Sequence, residues 1–252
     1  MSFDVAAERY DRFMGRYSAK LAPLFCEFAG ISAGQRVLDV GCGPGALTAE
    51  LVRAAGHEAV SAVDPSGQFV AAARSRYPGV DVQLASAEDL PHADGTFDAT
   101  CAQLVVHFMA DPVAGLAEMA RVTRPAGRVV ASVWDHAGDR APISAFWQAV
   151  RELRHEVEDE SGLPGARRGH LSELFGSAGI DRIEEAELTV RVEHESFDDW
   201  WAPFTLGVGP AGAYARTLGD EELASVRDRC RQLLGDGSFT LRATAWVVRG
   251  CA

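Results

Sequence analysis

A doubly wound, mostly parallel α/β sheet is the architecture this sequence predicts, on three observations. Between residues 36 and 134, short β-branched runs alternate with helix-like segments, the order that gives parallel strands joined by helices. The first run passes straight into a glycine-rich turn and then a helix, "VLDVGCGPGALTAEL" (37–51). Late in the chain, two more strands stand about forty residues apart, too far for a tight hairpin. In such sheets the ligand-bearing loops lie at the carboxyl ends of the strands.

The elements follow in order. Residues 1–30 predict a helical cap, with Tyr10, Phe13 and Tyr17 as an amphipathic stripe. "RVLDVG" (36–41) reads as a strand, and "ALTAELVRAAG" (46–56) as a helix stopped by Gly56. A second strand (59–64), a helix (66–79) ended near Pro78-Gly79, and a third strand (80–86) come next. After the polar turn "HADGT", residues 97–103 form a fourth strand. A helix spans 113–127, closed by Pro125 and Gly127, and the fifth strand is 128–134. The spacing predicts helices over 141–160 and 170–180, a strand over 182–195 and a last strand over 239–250. This makes one domain of 1–252, with a ligand-binding core at 31–135, a helical segment at 136–182, and a helical insertion at 197–238 as a lid or partner surface.

Composition bounds the function classes. With 252 residues, 47% hydrophobic and 24% charged, the chain has length for a full core and no disorder bias. A net charge of -12 argues against a sequence-independent nucleic-acid binder, which needs a basic surface. The five cysteines (Cys26, Cys42, Cys101, Cys230, Cys251) lack CxxC spacing, so neither a disulfide framework nor a zinc site is expected. The polar start and the lack of a long apolar run predict no signal peptide and no membrane helix; a cytoplasmic setting is expected.

The glycine turn admits two ligands. Gly41, Gly43 and Ala46 satisfy GxGxx[GA], the dinucleotide fingerprint, and Asp64 falls about where an acidic ribose ligand belongs. The glycines would equally serve a tight turn with no ligand. Asp39 tilts the choice. A pyrophosphate gains nothing from an acid beside the turn, whereas a ligand carrying an ammonium and a sulfonium does. Gly45 adds a third glycine, and "ASAEDLPHADGTFDAT" places an acidic turn and Leu-Pro after the third strand.

"VLDVGCGPG", "VSAVDPS", "AEDLP", "DGTFD" and "MARVTRPAGRVVASVW" together resemble the class I S-adenosylmethionine-dependent methyltransferases. The likeness is to the small-molecule branch that includes the quinone-biosynthesis C-methyltransferases, and it runs from about residue 10 to residue 135. It implies a Rossmann-like seven-stranded sheet with an antiparallel last strand, and S-adenosyl-L-methionine as methyl donor. By the same resemblance Gly41, Cys42, Gly43 and Gly45 pass under the methionine and ribose parts of the cofactor. Asp39 helps hold the ammonium, partly through water, and Asp64 accepts from both ribose hydroxyls. Pro65 and Ser66 line one side of the adenine. Ser86 stands where the family often has an aspartate for the adenine amino group, a departure; its hydroxyl, or the amides of Ala87 and Glu88, would make that contact. Gln103 and the backbone of Ala102 face the methionine end. Arg16 either pairs with the cofactor carboxylate or is a solvated charge.

For in-line methyl transfer the main task is alignment and exclusion of water, and a general base is optional. His107 is the candidate base, set against a structural histidine; His136 and His170 are weaker candidates. Trp134, Phe146, Trp147, Trp200, Trp201, Phe204 and Tyr214 either line an apolar acceptor pocket or pack a lid. The acceptor expected is a small apolar or aromatic molecule, with no nucleic acid, no membrane and no metal, in a monomer or a homodimer. An NAD(P)-dependent oxidoreductase and a non-catalytic S-adenosylmethionine-binding protein are the alternatives.

Overall fold

Seven strands make one sheet: β1 (Val37–Val40), β2 (Val60–Asp64), β3 (Asp81–Leu84), β4 (Phe97–Gln103), β5 (Thr123–Trp134), β6 (Asp181–His194) and β7 (Phe239–Cys251). Their order is β3-β2-β1-β4-β5-β7-β6. β7 runs antiparallel to both its neighbours, and the pairs from β3 through β5 are parallel. These facts come from a computed structural model describing residues 7–154 and 157–252. The first six residues of the expected cap, and two of the expected 141–160 helix, therefore lie outside the described residues.

All four residues of β1 are buried, as a central parallel strand covered on both faces requires. Val37 packs with Phe25, Leu47 and Leu51 on one face; Leu38 and Val40 pack with Leu116, Met119 and Phe175 on the other. Alternate side chains thus feed two cores, to which α2 (Arg16–Ala29), α3 (Ala46–Ala55), α4 (Gly67–Arg76), α5 (Pro112–Val122) and α7 (His170–Ser177) contribute, while α1 (Ala7–Tyr10) and α6 (Ser144–Leu153) pack elsewhere. A π-helical turn, Asp11–Gly15, links α1 to α2. Between β6 and β7 come α8 (Phe197–Trp201), α9 (Gly209–Ala215) and α10 (Asp220–Leu234). They close a third, aromatic core over the strand ends, with α6 and Phe13, Tyr17 and Leu21 of the N-terminal segment. The chain order reverses across β1 and β4, which opens a crevice at their carboxyl ends.

Three boundaries correct the sequence reading. The helix expected to reach residue 127 stops at Val122, because Thr123 already pairs with Phe97. The register then shifts before Ala99 meets Arg128, so Pro125 and Gly127 sit in an irregularity of β5. The helix expected over 141–160 is Ser144–Leu153; beyond it Asp159 caps a short 3-10 turn, Glu160–Gly162. β3 is four residues rather than seven.

Candidate functional site

A cavity of about 520 Å³ lies over the carboxyl ends of β1, β2 and β4, a volume within the range of small-molecule sites. The floor is the glycine turn. The amides of Gly41 and Cys42 donate to the Val63 carbonyl at 2.8 and 3.0 Å, folding the turn back onto β2. At Gly41 (φ +70°) a Cβ would stand 2.5 Å from the Val105 side chain. Gly43 is different: φ is +54°, and the space a Cβ would take is open and belongs to the cavity wall. The first glycine permits packing, and the second leaves room for a ligand.

Asp64, at the end of β2, is 5% exposed and lines the cavity. Its two carboxylate oxygens each accept one amide, Gly43 N at 2.8 Å and Ser66 N at 2.8 Å, so the carboxylate plane is fixed. Burial raises its pKa, and those two amides oppose the rise. Asp39 lies beneath the turn, 1% exposed, accepting the Thr48 hydroxyl at 2.6 Å. Burial pushes its carboxyl up to about 7, with Asp64 adding to the rise and Thr48 opposing it.

Gln103 ends β4. Its Nε2 donates to the Ser18 carbonyl at 3.1 Å, which orients the amide. Its buried Oε1, on a residue of the cavity wall, has no hydrogen-bond partner among the described residues. Next along, Leu104 takes φ +63°, unusual for a branched side chain, while its amide donates to Ser132 O at 2.9 Å. Across the cavity, Glu88 Oε1 accepts the amides of Ala110 and Asp111 at 2.8 and 3.3 Å, tying the loop after β3 to the one after β4. Tyr10 and Phe69 meet edge to face, 5.4 Å between centroids, and form an aromatic lip. Arg76 holds the N-terminal segment down, donating to Asp11 at 2.6 Å and to the Pro44 carbonyl at 3.1 Å.

Residues 38–131 match a family model described as a methyltransferase domain. An uncharacterized methyltransferase of Mycobacterium tuberculosis (strain H37Rv) is 33% identical over 184 residues, covering 73% of this chain and 70% of that protein. The chain belongs to the methyltransferase family. A demethylmenaquinone methyltransferase of Beutenbergia cavernae is 38% identical over 132 residues, 51% of this chain and 54% of that protein. In fold, the methyltransferase resembles the geranyl diphosphate C-methyltransferase of Streptomyces coelicolor A3(2). The TM-score is 0.56 and the identity 14%, over 94% of this chain and 80% of that one.

Of the residues singled out in sequence, the methyltransferase brings Gly41, Gly43, Asp64, Pro65, Ser66, Ser86, Ala87, Glu88 and Gln103 together in the cavity wall. Asp39, Cys42 and Ala102 are buried behind it, and Gly45 caps α3 with φ +102°. Arg16 lies outside that wall: its guanidinium is held by Asp199 at 2.8 and 3.0 Å and faces a separate small void. His107 lies outside it too. It is 5% exposed in a 3-10 turn, its ring 3.8 Å from that of Phe108, and Phe108 rather than His107 reaches the cavity. Burial and the neighbouring His136 hold it well below the ordinary histidine pKa, which makes it a weak proton acceptor. His136 is likewise buried, its pKa lowered to about 4, and His170 Nδ1 accepts the Gly165 amide at 3.2 Å.

The aromatic residues weighed as an acceptor pocket are packed core: Phe146 stacks on Phe204 at 4.9 Å, and Trp134, Trp147, Trp200 and Trp201 are each at most 5% exposed. Tyr214 packs against Trp147 at 5.3 Å. Sequence reasoning missed Gly67, Phe69, Leu104, Val105, Phe108, Met109 and Ala110 as wall residues. Their signal was position alone, in the first turn of α4 after β2 and in the turns after β4.

Proposed function

We propose that the cavity binds S-adenosyl-L-methionine and that this methyltransferase passes its methyl group in line to a small, apolar or aromatic acceptor. One observation carries the reading. Among the described residues, the cavity wall contains Asp64 and Glu88 but no lysine, arginine or histidine. A pyrophosphate would meet carboxylates with no cation to offset them, whereas an ammonium and a sulfonium suit that wall. The unpartnered Gln103 Oε1 is an acceptor awaiting an N–H donor, and an ammonium fits it. The fold-related C-methyltransferase was crystallised with S-adenosyl-L-homocysteine.

When bound, S-adenosylmethionine supplies an electrophilic methyl carbon on a sulfonium. The protein's part is placement. Asp64, with one lone pair of each oxygen used by a backbone amide, keeps others for two ribose hydroxyls. Ser86 and the amides of Ala87 and Glu88 serve the adenine, beside Pro65 and Ser66. Gly43 lets the backbone come close, and Tyr10 and Phe69 keep water out. Alignment of this kind contributes up to ~7–11 kcal/mol in favourable cases. The negative balance of the whole chain favours a small acceptor over a nucleic acid.

Asp64→Ala is the direct test. It should weaken S-adenosylhomocysteine binding by ~1.5–3 kcal/mol, the worth of hydrogen bonds to a charged group, and it should also lower thermal stability, because the Gly43 and Ser66 amides lose their acceptor. An unchanged affinity would mean that the ribose lies elsewhere.

A further inference from the structure

S-adenosylmethionine carries a carboxylate as well as two cations, and the cavity's hydrogen bonds decide how that third group is met. A glycine turn leading into a helix ordinarily offers an anion several free amides. Here the amides of the turn are already used. Gly41 and Cys42 donate to the Val63 carbonyl, Gly43 donates to Asp64 at 2.8 Å, and Gly45 donates to the Cys42 carbonyl at 3.0 Å. Pro44 has no amide to give. At the start of α3, the Thr48 hydroxyl is turned to Asp39 at 2.6 Å. At the start of α4, Asp64 takes the Ser66 amide at 2.8 Å, and the Ser66 hydroxyl takes the Phe69 amide at 3.4 Å. Two carboxylates of the chain itself, Asp39 and Asp64, fill the places an anion would take.

The side chains point the same way. Among the described residues, the polar side chains of the wall are Tyr10, Asp64, Ser66, Ser86, Glu88 and Gln103, two acids and four neutral groups. Two arginines on neighbouring elements are held by acids of their own. Arg16 grips Asp199 at 2.8 and 3.0 Å, and Arg76 donates to Asp11 at 2.6 Å. In sequence, residues 1–6 ("MSFDVA") add an aspartate and no lysine, arginine or histidine. Asp39 shows what negative charge meets at this end of the sheet. Burial pushes its carboxyl up to about 7, and Asp64 adds to the rise.

We propose that this site prefers sulfur nucleosides that keep the ammonium and lack the carboxylate, with decarboxylated S-adenosylmethionine as the type ligand. The proposal rests on the donor reading above and adds its specificity. The ribose goes to Asp64 as before, and the ammonium goes to the buried, unpartnered Gln103 Oε1. Decarboxylation removes a group that finds neither a cation nor a turn amide to receive it. Held against Asp64 and Glu88 the carboxylate costs affinity; turned out to water it contributes none. Specificity here is a difference between two affinities, set by an unfavourable element and not by an added contact. 5'-Methylthioadenosine lacks both groups. It is therefore a weaker ligand than the decarboxylated nucleoside, since Gln103 Oε1 then stays unpaired.

Calorimetric titrations of the full chain at neutral pH compare S-adenosylhomocysteine, its decarboxylated analogue and 5'-methylthioadenosine. The decarboxylated analogue should bind roughly three- to tenfold tighter than S-adenosylhomocysteine, and tighter than 5'-methylthioadenosine. The preference should persist in about 0.5 M salt, which screens the long-range field of the chain's net charge. Arg16→Gln should change S-adenosylhomocysteine affinity by less than about twofold. Equal or tighter binding of the carboxylate-bearing ligand overturns the proposal. A preference lost in salt does so too, because the net charge of -12 alone would then explain it. If Arg16→Gln weakens S-adenosylhomocysteine and spares the decarboxylated analogue, Arg16 is the carboxylate's partner and the proposal is wrong. 5'-Methylthioadenosine as tight as the decarboxylated analogue also overturns it, since the ammonium would then go unread. In each of these cases S-adenosylhomocysteine still binds and the donor reading stands. If none of the three ligands binds, the donor reading itself fails.

Discussion

Asp39 shows a single residue held against its own preference. Its folded pKa, about 7, lies above the ordinary carboxylate value of 3.8, so the folded protein binds its proton more tightly than the unfolded chain. The cost to stability is absent below pH 3.8 and complete above about pH 7. Asp39→Asn should therefore stabilise the ligand-free protein at pH 8 by on the order of 2–4 kcal/mol, with the gain gone at pH 3.5, measured by urea unfolding. A cationic ligand favours the ionised form, so S-adenosylmethionine affinity should rise with pH through about 7 in the wild type and stay flat in Asp39→Asn. A flat wild-type profile would count against an ionised Asp39 beneath the ligand. At this scale a motif that constrains backbone and side chain together, as at Gly43 and Asp64, announced which residues line the cavity. Arg16 and His107 do not line it, and their neighbours Asp199 and His136 come from remote parts of the chain that no local pattern announces.

Among the elements, the strand–helix alternation and the glycine turn were legible because β1 and the start of α3 are coded by contiguous residues, whereas the place of β7 between β5 and β6 rests on pairing between distant segments. The end of α5 was not: Thr123 satisfies the helix-like spacing, yet its pairing with Phe97 wins. The α6 boundary was missed for a similar reason, since Asp159 caps a separate turn and pairs with Arg151. The segment between β6 and β7 was visible as helical, and packing of its aromatics as a lid core was one of the two readings open in sequence. There Phe204 is 1% exposed and contacts Phe13, Phe146, Trp200 and Trp201. Phe204→Ala should cost ~3–5 kcal/mol, the usual range for a buried aromatic truncated in a packed core. A loss under about 1 kcal/mol would show that this cluster can collapse onto the void beside it.

For the whole molecule, opposing buried groups set the response to acid. Asp39 and Glu160, both raised to about 7, make the fold more stable as pH falls. His107, and His136 at about 4, do the reverse, because the unfolded chain gains protons below about 6.5 that the buried rings refuse. The double variant Asp39→Asn, Glu160→Gln should therefore lose stability between pH 6.5 and pH 4.5 more steeply than the wild type does. An equal slope in urea unfolding across that range would refute this balance. The same burial that sets it also walls a cavity with two acids and, among the described residues, no lysine, arginine or histidine, and that wall is the ground for the proposed donor. Calorimetric titration of the purified protein with S-adenosylhomocysteine and, separately, NADH tests it most directly. One equivalent of S-adenosylhomocysteine should bind in the micromolar range, with no heat from NADH. Micromolar NADH binding without any for S-adenosylhomocysteine would contradict the account.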